Sequence, residues 1–298
     1  MGKIVKWFGV ILAGLVIIIL LAGTGLYSAG AKRLKVTYTV PANTVAVPTD
    51  ATSIGSGKHL VIVHCTSCHG VALEGDTVFT SPPLGTITAP SIAGGRGKYG
   101  TTLSDVELVR AIRHGVGIDG KPLFVMPSGS FYYFTDNDLG NIIAYIRSVE
   151  PLDITMPVTR ITPLGIALYT AGMFGDLINA ENIDHTAPRP AAVEPGVTVE
   201  YGNYQVRVGE CRVCHGPQLA GGKDPNPDAP PAPNLTRGGN LGGWSETDFI
   251  QTMRSGVNPT GHQLTEFMPW KFFGQMTDDE LKAVWLYLQS LPPLETTK

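Results

Sequence analysis

The 298-residue sequence predicts an all-α protein in which one apolar amino-terminal helix precedes two similar helical domains. Three observations carry this expectation. Trp7 to Tyr27 is an uncharged apolar run, one structural unit is written twice along the chain, and each copy holds helix-capping patterns ahead of apolar residues at helical spacing. Strand signals are weak throughout.

The apolar run of 21 residues follows Lys3 and Lys6 and is long enough to cross a bilayer as a helix. It exceeds the apolar region of an ordinary signal peptide, so residues 1–35 read as a retained anchor. Ala29-Gly30-Ala31 resembles a small-residue cleavage site, and cleavage after Ala31 is the competing reading. Lys32, Arg33 and Lys35 balance Lys3 and Lys6, leaving the positive-inside rule nearly silent on orientation. A second apolar stretch, Leu164 to Gly175, is short for a span and ends at Asp176; it reads as an interdomain helix packed on protein or lying at the membrane surface.

The repeat begins with His64-Cys65-Thr66-Ser67-Cys68-His69-Gly70, matched by Glu210-Cys211-Arg212-Val213-Cys214-His215-Gly216. Ala89-Pro90-Ser91-Ile92 matches Ala232-Pro233-Asn234-Leu235. Helix starts follow at Ser104 with Glu107 and at Ser245 with Asp248. Each unit then presents a Met-Pro pair, Met126-Pro127 or Met268-Pro269, and a last helix capped at Thr135 or Thr277. Leu139, Ile142, Ile143 and Ile146 in the first of these helices correspond to Leu281, Val284, Trp285 and Leu288 in the second, spaced as one apolar face. The predicted domains are 36–155 and 199–298, joined by a linker, 156–198, that holds the short apolar helix.

Charged residues make up 16% of the chain and the formal net charge is -3, so no basic footprint for nucleic acid is present. The 36 glycines and 23 prolines suit a loop-rich globular protein. All four cysteines fall in the two Cys-x-x-Cys pairs.

A Cys-x-x-Cys-His sequence puts two thiols within reach of the two vinyl groups of one porphyrin, and the following histidine reaches the iron. Two such motifs, Cys65/Cys68/His69 and Cys211/Cys214/His215, predict two covalently held haems c. A zinc centre would need ligands from both pairs at one tetrahedral point, whereas each pair heads its own repeat with its own histidine. A thioredoxin-type reading lacks its βαβ pattern. Among seven methionines and seven histidines, only His69/His215 and Met126/Met268 recur in both copies. Methionine is a soft thioether donor suited to haem iron, so Met126 and Met268 are the expected sixth ligands, and His69, Met126, His215 and Met268 the expected iron ligands.

The chain therefore resembles a tandem of class I cytochrome c domains over about residues 50–150 and 200–292. With its anchor it resembles the membrane-bound dihaem cytochrome c subunits of bacterial dehydrogenase and respiratory complexes. The resemblance implies the small helical cytochrome c fold, with first and last helices crossing near the haem edge. It further implies that the carbonyls of Pro90 and Pro233 accept the hydrogen bond from the proximal histidine Nδ1, orienting the ring. Arg113, Arg254, Tyr99 and Trp244 are candidates for holding propionates. Haem attachment in such proteins takes place outside the cytoplasm, which implies an inner-membrane protein with a single span and both domains on the periplasmic side.

Two six-coordinate haems predict electron transfer rather than catalysis, between a membrane-associated donor and a downstream acceptor. The implied partners are a membrane-bound dehydrogenase or a respiratory or photosynthetic electron-transfer complex, together with the membrane itself. The alternative is a dihaem enzyme. A peroxidase needs an open distal position, and the thiosulfate dehydrogenase type uses a cysteine as an axial ligand, for which no fifth cysteine exists. A haem-based sensor or structural subunit ranks behind both, because no linked signalling domain is present. The methionine-bearing loops, 121–130 and 262–271, are the expected docking faces.

Overall fold

The computed structural model describes residues 2–41, 43–93, 103–152, 154, 156–190, 192–224 and 228–297; Tyr99 lies outside them. It is mostly helical. Helix α1, Gly2–Arg33, is about 48 Å long at 1.5 Å per residue and carries an exposed apolar surface from Ile4 to Leu21. It is long and apolar enough to cross a membrane. Among the described residues, its carboxy-terminal end, at Gly30 and Arg33, is what the rest of the protein holds.

The first repeat contains α2 (Ala51–His64), α3 (Thr66–His69), strands β1 (Asp76–Ser81) and β2 (Gly85–Ala89), α4 (Asp105–His114), α5 (Ser128–Phe131) and α6 (Asp136–Ser148). The connecting segment adds β3 (Arg160–Ile161) and α7 (Pro163–Thr170). The second repeat contains α8 (Val199–Val208), α9 (Cys211–His215), β4 (Ala220–Gly222), β5 (Ala232–Asn234), α10 (Glu246–Ser255), α11 (Trp270–Phe273) and α12 (Asp278–Ser290).

The capping patterns act as local chemistry dictates. Ser104, Ser245 and Thr277 each accept from the N–H of the acidic residue three positions on, and that residue's carboxylate accepts from the cap N–H in return. Thr135 caps α6 in the same way, but Asp138 does not return the bond. Its carboxylate is engaged elsewhere.

In both repeats the first and last helices cross at a glycine. A Cβ on Gly57 would lie 1.9 Å from the carbonyl oxygen of Asn141, and a Cβ on Gly202 would lie 1.9 Å from that of Ala283. Only glycine lets the backbones approach this closely. The crossing brings Tyr145 and Tyr287 over equivalent spots.

Strands intrude where the sequence signals were weak. β1 and β2 form an antiparallel hairpin, and β3 from the connecting segment adds to its open edge. The equivalent place in the second repeat holds only the short β4–β5 pair. Helix α7, with eight residues, is too short to span a bilayer and instead packs on α1. There Gly30 sits directly against Ile166 and Thr170, while Arg33 pairs with Glu181 at 2.6 Å and lies over the Tyr169 ring.

The two cores share residues. Tyr201, Tyr204 and Val208 belong to the apolar cluster of the first repeat, and Val63 to that of the second. Helix α5 touches α8 and, reciprocally, α11 touches α2. The two repeats thus face each other through their first helices.

Candidate haem sites

Each attachment motif sits on a short helix immediately after the first long helix of its repeat. Cys65 ends α2 and opens α3, while α9 spans Cys211–His215. The four thiols are free and half-buried. Burial pushes Cys65, Cys211 and Cys214 up to about 12 and raises Cys68, so the unattached sulfurs are protonated thiols. Thiols three residues apart, about one helical turn, lie on one face, as addition to two vinyl groups requires.

The histidine rings have fixed orientations. Nδ1 of His69 lies 2.9 Å from the Pro90 carbonyl oxygen, and Nδ1 of His215 lies 2.7 Å from that of Pro233. A carbonyl only accepts, so Nδ1 carries the hydrogen and Nε2 keeps its lone pair for a metal. Burial lowers the pKa of both rings against the smaller opposing effect of the proline carbonyls, which keeps them neutral and ligand-competent.

Met126 packs against the core of the first repeat and Met268 against that of the second. A cleft of about 1450 Å³ is lined by Cys211, Cys214, His215, Pro233, Trp244 and Met268. It exceeds the roughly 300–1,000 Å³ of a pocket for one small ligand because it runs on into the first repeat, where Val78, Phe79, Ile87, Phe124, Val125 and Pro127 line it. The chain therefore brings the loop around Met126 and the second attachment motif to one cleft.

The residues fit a porphyrin on grounds internal to the structure: ring nitrogens aimed by carbonyls, an apolar cleft over one motif, and unsatisfied donors. Among the described residues, buried donors without acceptors include Nε and Nη1 of Arg113, Nε of Arg110 and Nε1 of Trp270. Arg113 and Arg254 also have a role the sequence did not reveal. Each ties the third helix of its repeat, α4 or α10, to the start of the last, Arg113 to Asp136 at 2.6 Å and Arg254 to Asp278 at 2.7 Å. Trp270 falls in the expected docking loop 262–271, but its buried donor escaped because a tryptophan after Met-Pro has no counterpart in the first repeat. The only signal for it was its place next to a candidate ligand.

Glu210, just before the second motif, adopts φ +60°, and burial pushes its carboxyl up to about 8. When ionised, it adds to the effect of burial in raising the thiols of both motifs, Cys65 and Cys68 as well as Cys211 and Cys214.

The methionine loops share a start and then diverge. Leu123 N–H donates to the Gly115 carbonyl, and Leu264 N–H to that of Gly256. In the first loop Val125 adopts φ +71° and its N–H donates to the Leu177 carbonyl at 2.7 Å, while Phe124 packs edge-on against Tyr169. The connecting segment thus covers a loop expected to be an open docking face. In the second loop Phe267 is 40% exposed, and Glu266 and Lys271 form an exposed pair.

A family model described as cytochrome c matches residues 54–150 and 199–292. The cytochrome c subunit of alcohol dehydrogenase (quinone) from Gluconacetobacter polyoxogenes is 28% identical over 88% of this chain and 62% of its own length. The fructose dehydrogenase cytochrome subunit of Gluconobacter japonicus is 28% identical over 84% of this chain and 56% of its own length. The gluconate 2-dehydrogenase cytochrome c subunit of Pantoea cypripedii is 32% identical over 30% of this chain and 22% of its own. The chain spans about three-fifths of the length of the first two relatives.

Proposed function

Since the chain belongs to the cytochrome c family, we propose that it holds two haems c and relays single electrons from a membrane-bound dehydrogenase to a downstream acceptor. The observation that carries this reading is the duplicated ligand geometry, in which each Cys-x-x-Cys-His motif has its own proline carbonyl holding Nδ1 and its own recurring methionine. Haem c supplies reversible one-electron chemistry between ferrous and ferric iron.

Cys65 and Cys68 anchor one porphyrin, and Cys211 and Cys214 the other. His69 and Met126 ligate the first iron, and His215 and Met268 the second. Pro90 and Pro233 hold the histidine rings in place. Thioether ligation leaves no open position for substrate, so the chain acts as an electron carrier rather than as the dehydrogenating catalyst. The buried donors of Arg110, Arg113 and Trp270 match carboxylate acceptors of the kind a porphyrin carries. Residues 36–155 and 199–298 form the two haem domains, and 156–198 the linker.

Relatives whose names place them in alcohol, fructose and gluconate dehydrogenases support a dehydrogenase as donor, and their differing substrates indicate that the carrier is not what selects substrate. Helix α1 serves as a single-pass anchor in the cytoplasmic membrane, with both haem domains on the outer side, where haem attachment takes place.

Haem counting tests the reading. The native chain is expected to give two covalent haems in a pyridine haemochrome assay, and the paired change Cys65→Ala, Cys68→Ala is expected to leave one. Two covalent haems in that variant, or one in the native chain, would refute the assignment.

A further inference from the structure

The crossing of first and last helices fixes which residues of the two repeats are equivalent. Gly57 and Gly202 meet the carbonyls of Asn141 and Ala283, so His59 on α2 corresponds to Tyr204 on α8. Asp138 and Glu280 correspond as the third residues of the last helices. The contacts between these four side chains are reciprocal. His59 Nε2 lies 2.8 Å from Glu280 Oε2, and Tyr204 Oη donates to Asp138 Oδ2 at 2.5 Å. Each first helix reaches the cap acid of the other repeat's last helix. Such pairing, i to j and j to i, is the mark of a two-fold interface, here built within one chain.

The cap acids show that the contact outranks local preference. Glu280 is long enough to serve its own cap N–H and His59 together, whereas Asp138 gives up the return bond to its cap and takes Tyr204 instead. Tyr204 Oη also accepts from Thr135 N–H, the donor that Asp138 would otherwise satisfy. Tyr204 and Glu280 are buried and His59 and Asp138 half-buried, and a hydrogen bond to a charged group shielded from water contributes more than one at the surface. Both clasps stand on the helices that lead directly into the attachment motifs at Cys65 and Cys211.

We propose that His59 and Tyr204 are positioning residues for electron exchange between the two haems, clasping the repeats so that the haem-bearing helices keep one separation and one mutual orientation. The proposal rests on the reading that each motif carries a haem. Alternative packing of two independent domains would need neither reciprocity nor the diverted cap at Asp138.

The test is the double variant His59→Leu, Tyr204→Phe in the full haem-loaded chain, compared with Tyr204→Phe alone and with His59→Gln, which keeps a donor for Glu280. Haemochrome content first establishes two haems in the native chain. A count of one would overturn the underlying reading, and the proposal with it. With two haems present, magnetic coupling between the oxidised haems and the rate of exchange after photoreduction are measured. The proposal expects two attached haems with unchanged individual spectra, a several-fold fall in exchange rate and weakened coupling in the double variant, and recovery of both in His59→Gln. Native exchange and coupling in the double variant would overturn it, even if thermal stability fell.

Discussion

The two methionine loops start from the same hydrogen bond and end in different surroundings. The first is shorter by one residue between that bond and its methionine, and Val125 adopts a positive φ that a β-branched residue rarely takes. A conformation of this kind costs on the order of 1–3 kcal/mol and persists only where neighbours enforce it. The Leu177 carbonyl and Tyr169 are those neighbours, and Tyr169 also receives Arg33 at the end of α1. Among the described residues, the second loop has no non-glycine residue at positive φ, and Phe267 stands exposed on it. Equal proposed ligand sets thus sit behind unequal surfaces: one loop is built into the segment that also holds the end of α1, and the other is presented to solvent. On the proposed reading, external docking at a methionine loop is expected at the second domain, because the first loop faces the shared cleft.

The largest expected effects come from the feature both domains share. Gly57→Val or Gly202→Val forces the helix crossing apart and should cost about 3 kcal/mol or more, at the upper end of what overpacking a core costs. Thermal unfolding followed at the haem absorbance checks this. Because the two cores share residues, either change should lower both transitions; loss confined to one domain would show that the repeats fold independently.

A smaller effect separates the loops. Phe267→Ala should slow reduction of the downstream acceptor and leave haem stability unchanged, since Phe267 is exposed. Phe124→Ala should instead loosen the first loop and let carbon monoxide reach its ferrous iron, without altering docking of the acceptor. Stopped-flow acceptor reduction and carbon monoxide difference spectra read the two effects. Equal effects on acceptor reduction would show that both loops dock externally.

The smallest effect is on pH. The hydrogen bond to Glu280 raises the His59 pKa above 6.5, so its contribution is complete below pH 6.5 and is lost as pH rises through the raised value. Burial opposes ionisation of Glu280, but His59 and the Thr277 cap outweigh it and hold the carboxyl below 4.5. That contribution is complete above pH 4.5 and is lost as pH falls through the depressed value. The clasp is therefore tightest between about pH 4.5 and 6.5, by about 1 kcal/mol relative to the alkaline side, the scale of a partly exposed pair. Urea unfolding across pH, in native chain and His59→Gln, measures the window. An identical profile in the variant would remove His59 from the account.

The sequence made some of this legible and hid the rest for physical reasons. Helix starts at Ser104, Thr135, Ser245 and Thr277 could be read because capping depends on a cap and an acid within four consecutive positions. The attachment motifs could be read because their chemistry is local and repeated. The hairpin of β1 and β2 escaped because its short Thr-Val-Phe and Thr-Ile runs are stabilised by pairing with each other and with β3, some seventy residues on. Aligning the repeats at their cysteines placed Glu210 opposite His64, yet the helices align Gly57 with Gly202; the left-handed turn at Glu210 absorbs the extra residue. The clasps and the cover over Val125 join positions far apart in sequence, through crossing angles that no local pattern encodes.

The most direct test of two thioether-ligated haems with unequal surroundings is a spectroelectrochemical titration of the purified full chain, alongside Met126→Ala and Met268→Ala. Two one-electron waves are predicted, and each substitution should lower only its own wave, by on the order of 0.1 V or more within the roughly 0.8 V that axial ligands span. Unshifted waves in both variants, or a single one-electron wave in the native chain, would contradict the account.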